Sequence, residues 1–193
     1  MERLYVLISF VRFWPHLLLF CASKNKAFIE EDISAYRAEY DMKGGRVYDL
    51  VRLLAHNTSF RSLFYYRIGK RKWLCQWLAK GTVNLTIPAT VSIQGGLLLF
   101  HAYGTILNAK SIGRGCRIVH NVTLGARKGG VPTIGNYVEI LPNAVVTGDI
   151  YIGDHCVIAP GAVVFKSIPD NCVVVGNPAY ILKKDGVIVN QKL

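Results

Sequence analysis

The sequence predicts a mainly β fold, a parallel β-helix preceded by an α-helical region, on three observations. Aliphatic residues recur every six positions through the second half of the chain. A second apolar place holds inside each six. Residues 1–81 lack that period and show an apolar stretch followed by glycine-bounded helical segments.

The repeat starts from Ile112, Ile118 and Leu124, and resumes after a longer gap at Ile134, Ile140, Val146, Ile152, Ile158 and Val164. The fifth place of each hexad holds Cys116, Val122, Val138, Ala144, Ile150, Cys156, Ala162 and Ile168, all apolar. Two apolar places per six residues match neither a helical nor a plain alternating period. Three hexads make one triangular coil of roughly 18 residues, and stacked coils lie about 4.8 Å apart, as neighbouring strands do. Ile93 and Leu99 extend the pattern upstream, with one extra residue before Ile112 when hexads are counted from 99, 105 and 112. A sandwich of short strands would not keep both apolar places in step. Cys116 and Cys156 then point inward as packing groups, not nucleophiles.

The boundaries read 1–81 for the helical region, 82–182 for the β-helix and 183–193 for a C-terminal tail. Residues 4–22 approach membrane-spanning length, but Arg12, Pro15 and His16 interrupt them. They read either as a helix lying at a membrane interface or as one buried against protein. Ser34–Tyr40 and Arg46–Lys80 read as further helices, with Gly44-Gly45 between them and Gly81 at the end. Cations alternate with aromatics from Arg61 to Trp73, which reads as a one-sided helix; no nucleic-acid motif accompanies it.

The net charge is +11, and residues 1–81 carry 14 Lys/Arg against 7 Asp/Glu. That excess suits a phosphorylated cofactor, an anionic membrane or a nucleic acid and does not choose among them. Five cysteines without a C-x-x-C pair suggest reduced thiols and a cytoplasmic setting. The N-terminus is a weak match to a signal peptide.

Between Leu124 and Ile134 the step lengthens from six to ten, which projects a loop at a coil corner. His101 lies two places after Leu99, and His120 two places after Ile118. The count therefore places their imidazoles one coil apart in a column that continues through Pro142 and Pro160. Histidine is suited to deprotonating an alcohol near neutral pH. His155 falls off that column, and no metal is expected.

Gly95–Gly104 (GGLLLFHAYG), Val122–Gly125 (VTLG) and Val173–Ala179 (VVVGNPA) resemble the serine acetyltransferase branch of the hexapeptide-repeat acyltransferases. The resemblance covers about residues 83–182. It implies a left-handed β-helix, a homotrimer, and acetyl-CoA bound between adjacent prisms. It also implies His101 as catalytic base, beside which His120 is the second candidate. Gly125 and Ala126 fall on positions near the thioester, and Pro142, Ala159 and Pro160 along the pantetheine groove. Lys166 would face the nucleotide phosphates. The chain departs from the pattern in three places. Thr86 stands where the family has the aspartate that orients the histidine. Phe100 replaces the aspartate before it, and Gly130-Val131 replaces an Arg-His pair. Those groups hold the ammonium and carboxylate of serine, so a zwitterion finds few partners here.

The sequence thus points to an acetyl-CoA-dependent O-acetyltransferase. Its expected acceptor is a sugar hydroxyl of a surface polysaccharide or its precursor, at the inner face of the cytoplasmic membrane, since similar capsule and O-antigen enzymes carry hydrophobic N-terminal helices. A serine acetyltransferase with a rearranged pocket is one alternative. A β-helical assembly protein without catalysis is another.

Overall fold

The computed structural model describes residues 2–193 and forms two compact units that meet in sequence between Thr82 and Val83. From Val83 onward the chain winds into a three-faced prism. The first face stacks Ser92–Ile93, Ser111–Ile112, Thr133–Ile134 and Tyr151–Ile152 in parallel register. The second stacks Leu98–Leu99, Arg117–Ile118, Glu139–Ile140, Val157–Ile158 and Cys172–Val175. The third stacks Ile106–Leu107, Thr123–Gly125, Val145–Thr147 and Val163–Val164. Each face lines its aliphatics inward in one column, such as Leu99, Ile118, Ile140, Ile158 and Val174, all buried. A fully buried side chain of this size contributes roughly 1.5–3 kcal/mol, so the repeat supplies most of the driving force for coiling.

The corners are made by residues that tolerate a left-handed backbone. Asn121, Asn143 and Gly161 share this conformation where the second face turns into the third, and Gly115, Tyr137 and His155 where the first turns into the second. At the latter corner one side chain per coil caps the next. Asn136 Oδ1 accepts from Arg114 N, Asp154 Oδ1 from Asn136 N, and Asp170 Oδ1 from Asp154 N. The hydrogen bonds donated by Asn136, from its backbone N and its Nδ2, hold the Asp154 carboxyl below its ordinary pKa. Gly113 is obligatory for a different reason: a Cβ there would lie 2.3 Å from the Gly135 carbonyl oxygen of the coil below.

The fifth-place residues Cys116, Val122, Val138, Ala144, Cys156 and Ala162 are buried as expected. Burial pushes the Cys116 and Cys156 thiols up to about 11, which keeps them protonated and unreactive near neutral pH. Two frame assignments change. Leu107, not a residue at 105, pairs with Leu124, so two extra residues lie between Leu99 and Leu107. Ile168 bridges Ile152 and so takes the first-face aliphatic place of the next coil instead of a fifth place. The tail also differs from the sequence reading. Tyr180–Lys184 and Val187–Lys192 form an antiparallel hairpin that extends the second face from Cys172–Val175. Residues 183–184 and 187–192 are therefore strand, not an appended tail.

The N-terminal unit contains α1 (Glu2–Cys21), α2 (Lys26–Glu39), α3 (Arg46–His56), α4 (Thr58–Ile68) and a 3-10 segment, Gly69–Leu74. The helix expected from Arg46 to Lys80 is broken at Asn57, whose side chain caps α4 by accepting from Phe60 N at 2.8 Å. Gly69, at φ 63°, ends α4. The helix expected at Ser34–Tyr40 begins earlier, at Lys26, because Ile29, Ile33 and Tyr36 form a buried stripe. Arg67, in the cation–aromatic stretch, is buried and grips Asp32 through Nε at 2.8 Å and Nη2 at 3.1 Å.

His16 of α1 lies buried against Tyr65, with Nε2 3.0 Å from the phenol oxygen. Tyr65 donates its own proton to the Ala79 carbonyl, so His16 Nε2 is the donor in this pair. Burial, aided by Arg61 and Arg12, lowers the His16 pKa from 6.5 to about 4. The folded state thus disfavours a proton that the unfolded chain accepts. This contribution to stability is complete above pH 6.5 and is lost as pH falls toward 4. The expected loss over that window is about 2–3 kcal/mol. Urea melts at several pH values should show that slope in the wild type and a flatter one in His16→Gln.

Candidate functional site

The two additional residues between Leu99 and Leu107 create the unusual corner of the prism. In lower coils the turn from second to third face has a regular form: Asn143 N donates to His120 O, and Gly161 N to Pro142 O. In the upper coil the chain instead bulges through His101, Ala102, Tyr103 and Gly104. Tyr103 N donates to His101 O at 2.6 Å, closing a three-residue turn, and Asn121 N donates to Tyr103 O at 3.0 Å. Thr105, fully buried, pins the bulge from below. Its hydroxyl donates to Val119 O at 3.1 Å and accepts from Val122 N at 3.4 Å.

His101 occupies the start of this turn at φ 45°, a conformation uncommon for a residue with a Cβ. Its side chain is exposed. Among the described residues no hydrogen bond from the chain holds its imidazole. The ring stacked on His120 belongs to Tyr103, with centroids 5.1 Å apart and planes 15° from parallel. The expected stack of two imidazoles is thus replaced by phenol on imidazole, because the bulge moves the in-register place from residue 101 to residue 103. His120 Nδ1 is sealed from solvent without a hydrogen-bond partner. His155 stacks on Tyr137, centroids 5.0 Å apart, at the corner between first and second faces.

The other candidates divide between two edges of the third face. Pro142, Ala159 and Pro160 follow His120 down the corner of second and third faces, since their coils are in register through Ile118, Ile140 and Ile158. Gly125 ends the third-face strand, and Ala126 opens the ten-residue step. Four residues, Asn121 to Leu124, separate Gly125 from His120, with the corner turn at Asn121 and the third-face strand between. The loop itself is compact. Arg127 and Gly130 exchange both backbone hydrogen bonds around Lys128 and Gly129, each with positive φ, the pattern of a type I′ turn. Arg127 lies over the Phe165 ring at 4.7 Å. The loop therefore folds down along the prism toward Lys166. Lys166 borders a cavity of about 680 Å³ that Val163, Phe165, Tyr180 and Lys192 also line.

The three family departures also have places. Thr86 bridges Ile106, on the return strand of the bulge, through Thr86 N to Thr105 O at 2.9 Å. Arg117 lies over the Phe100 ring at 4.6 Å. Gly130 packs so closely on Asp149 that a Cβ would meet the Asp149 Cβ at 2.4 Å. Tyr103 and Thr105 were not among the candidates from sequence; the thirteen-residue step from Leu99 to Ile112 was the signal that this coil carries a bulge.

Residues 132–166 match the family described as bacterial transferase hexapeptide (six repeats). The serine acetyltransferase of Synechococcus elongatus is 35% identical over 133 residues, covering 66% of this chain and 54% of that protein. The putative colanic acid biosynthesis acetyltransferase WcaB of Escherichia coli K12 is 35% identical over 99 residues, 49% of this chain and 61% of its own length. The crystal structure of Neisseria gonorrhoeae serine acetyltransferase in complex with serine superposes with a TM-score of 0.65 at 27% identity, covering 83% of this chain and 69% of that one. The chain spans about half the length of the serine acetyltransferases it matches in sequence. With its in-register coils and inward aliphatic columns, the chain carries the hexapeptide repeat of bacterial transferases at residues 132–166 and is similar to serine acetyltransferases over most of its length.

Proposed function

We propose that this protein transfers an acetyl group from acetyl-CoA to a hydroxyl, with His101 as general base. The observation that carries the reading is the bulged corner. It holds an exposed histidine on a strained turn pinned by Thr105, and both the turn and the histidine belong to the GGLLLFHAYG segment that resembles the family. His101 takes the proton of the acceptor hydroxyl as its oxygen attacks the thioester carbonyl. The tetrahedral oxyanion then collapses with cleavage of the carbon–sulfur bond. The imidazolium returns its proton to the departing thiolate. No acyl-enzyme is involved, and the buried, protonated Cys116 and Cys156 could not form one.

A homotrimer fits the division of the candidates. Within one prism the histidine corner and the Gly125–Ala126 corner lie on opposite edges of the third face. Packing prisms about a threefold axis would bring one chain's histidine edge beside a neighbour's loop edge, with acetyl-CoA between them. Gly125 and Ala126 would then flank the thioester, Pro142, Ala159 and Pro160 the pantetheine arm, and Lys166 the phosphates. Beside this proposed base, His120 supports the upper coil under Tyr103.

For the acceptor, the reading is a sugar hydroxyl of a surface polysaccharide or its precursor, met in the cytoplasm at the membrane. Phe100 lies under Arg117, Gly130 is packed on Asp149, and Thr86 lacks a charge, so none offers an ionic partner to an amino-acid zwitterion. L-Serine is the second reading, favoured by the identity to the Synechococcus enzyme. Thiol release from acetyl-CoA should be followed with L-serine and with a panel of sugar acceptors. Turnover on sugars well above that on serine is expected. Efficient serine turnover would replace the acceptor, and acetyl-CoA binding without transfer to anything would leave a scaffold.

A further inference from the structure

Helix α1 has two apolar faces, and only one is used. Val6, Phe13, His16 and Phe20 are buried within the N-terminal unit. On the other side Leu4, Leu7, Ile8, Val11, Trp14 and Leu18, spaced by three and four residues, are exposed, Val11 to 78%. The segment after α4 runs along the same helix and is tied to it at both ends. Arg71 Nη1 donates to Ala22 O at 3.0 Å, and the Arg12 guanidinium to Leu78 O. Between these ties Trp73, Leu74 and Trp77 are also exposed, Trp77 to 73%. The Trp77 indole N–H already donates to Leu74 O at 3.1 Å, so the ring can enter an apolar phase without stranding its donor.

The charge around this patch has one sign. Lys24, Lys26, Lys70, Arg71, Lys72 and Lys80 are exposed. The sequence has no Asp or Glu from Arg3 to Ile29 or from Leu50 to Gly81. We propose that this composite face, α1 together with the Trp73–Trp77 segment, docks the protein on an anionic phospholipid surface. Aliphatics and indoles enter the headgroup boundary while the surrounding cations meet lipid phosphates. Helix α1 lies along the bilayer and does not cross it, because its second face is committed to the helical unit through the buried His16–Tyr65 pair. A second copy of the chain fits less well, since it would set cations against cations. Nucleic acid fits less well too, since Leu4, Leu7, Ile8, Val11 and Leu18 would gain nothing from a phosphate backbone, although the indoles could stack on bases. The proposal stands on this unit alone, independent of the acceptor.

The test uses the full-length protein and extruded vesicles, either equal parts phosphatidylglycerol and phosphatidylcholine or phosphatidylcholine alone. Sedimentation with the anionic vesicles is expected, with a blue shift of tryptophan emission, and release in about 1 M salt, where the screening length is about 3 Å. Val11→Asp and Trp77→Ser should each weaken partition by about tenfold or more. Their melting temperatures and acetyl transfer to soluble acceptors should stay unchanged. Absence of binding to the anionic vesicles would overturn the proposal, as would equal binding by wild type and both variants. Vesicle-free self-association abolished by both substitutions would assign the face to a second copy instead.

Discussion

His101→Ala is expected to lower acetyl transfer by about 10²–10⁴-fold, the range a positioned general base contributes, and to leave the thermal unfolding midpoint close to wild type. The two halves of that expectation rest on different observations. The side chain is exposed and has no hydrogen bond from the chain, so its removal leaves no cavity and strands no partner. The backbone at this position already adopts φ 45°, held by Tyr103 N, Asn121 N and Thr105, none of which depends on the imidazole. Stopped-time assays of thiol release, paired with calorimetry on the same samples, read both quantities. Near-wild-type turnover by the folded variant would remove His101 from the mechanism and return attention to His120, whose Nδ1 is sealed beneath Tyr103.

The largest loss of stability is expected from Asp32→Ala. Asp32 and Arg67 are both almost fully buried, and the guanidinium bonds both carboxylate oxygens while lying against the rings of Phe28 and Tyr66. Removing the carboxylate leaves a buried cation whose desolvation is no longer offset, at a cost of about 3–5 kcal/mol. The double variant Asp32→Leu/Arg67→Met removes both charges and keeps the volume filled. It should recover most of that loss, because a buried ion pair contributes little beyond what matched apolar groups supply. Chemical denaturation of the wild type, both single variants and the double variant closes the cycle. A double variant as unstable as Asp32→Ala would show that the pair itself, not the orphaned charge, sustains α2 against α4.

The prism was legible in the sequence because its period is local. Each aliphatic at Ile112, Ile118, Ile134, Ile140, Ile152 and Ile158 faces inward by strand geometry alone, and any coil that keeps the spacing buries the same places. The loop after Leu124 was equally visible, as a change of spacing. The bulge at His101–Gly104 was visible only as an irregular spacing, because two extra residues in one corner and one fewer in the next leave an ambiguous thirteen-residue gap. Only the pairing of Leu107 with Leu124 resolves it, and with it the replacement of His101 by Tyr103 over His120. The short return from Val164 to Ile168 escaped for the same reason: an apolar residue at the right offset satisfies the count from either frame.

Sequence by itself therefore determined the coil, the inward columns, the two thiols that pack, and the family segment that contains the histidine. Those follow from which side chains prefer to leave water at a fixed interval along the chain. Tertiary structure alone decided which residues share a corner, that the loop and histidine candidates occupy opposite edges of one face, and which side of α1 stays uncovered. Those depend on register between distant segments, where a slip of one or two residues costs nothing in local preference yet changes every neighbour across the ladder.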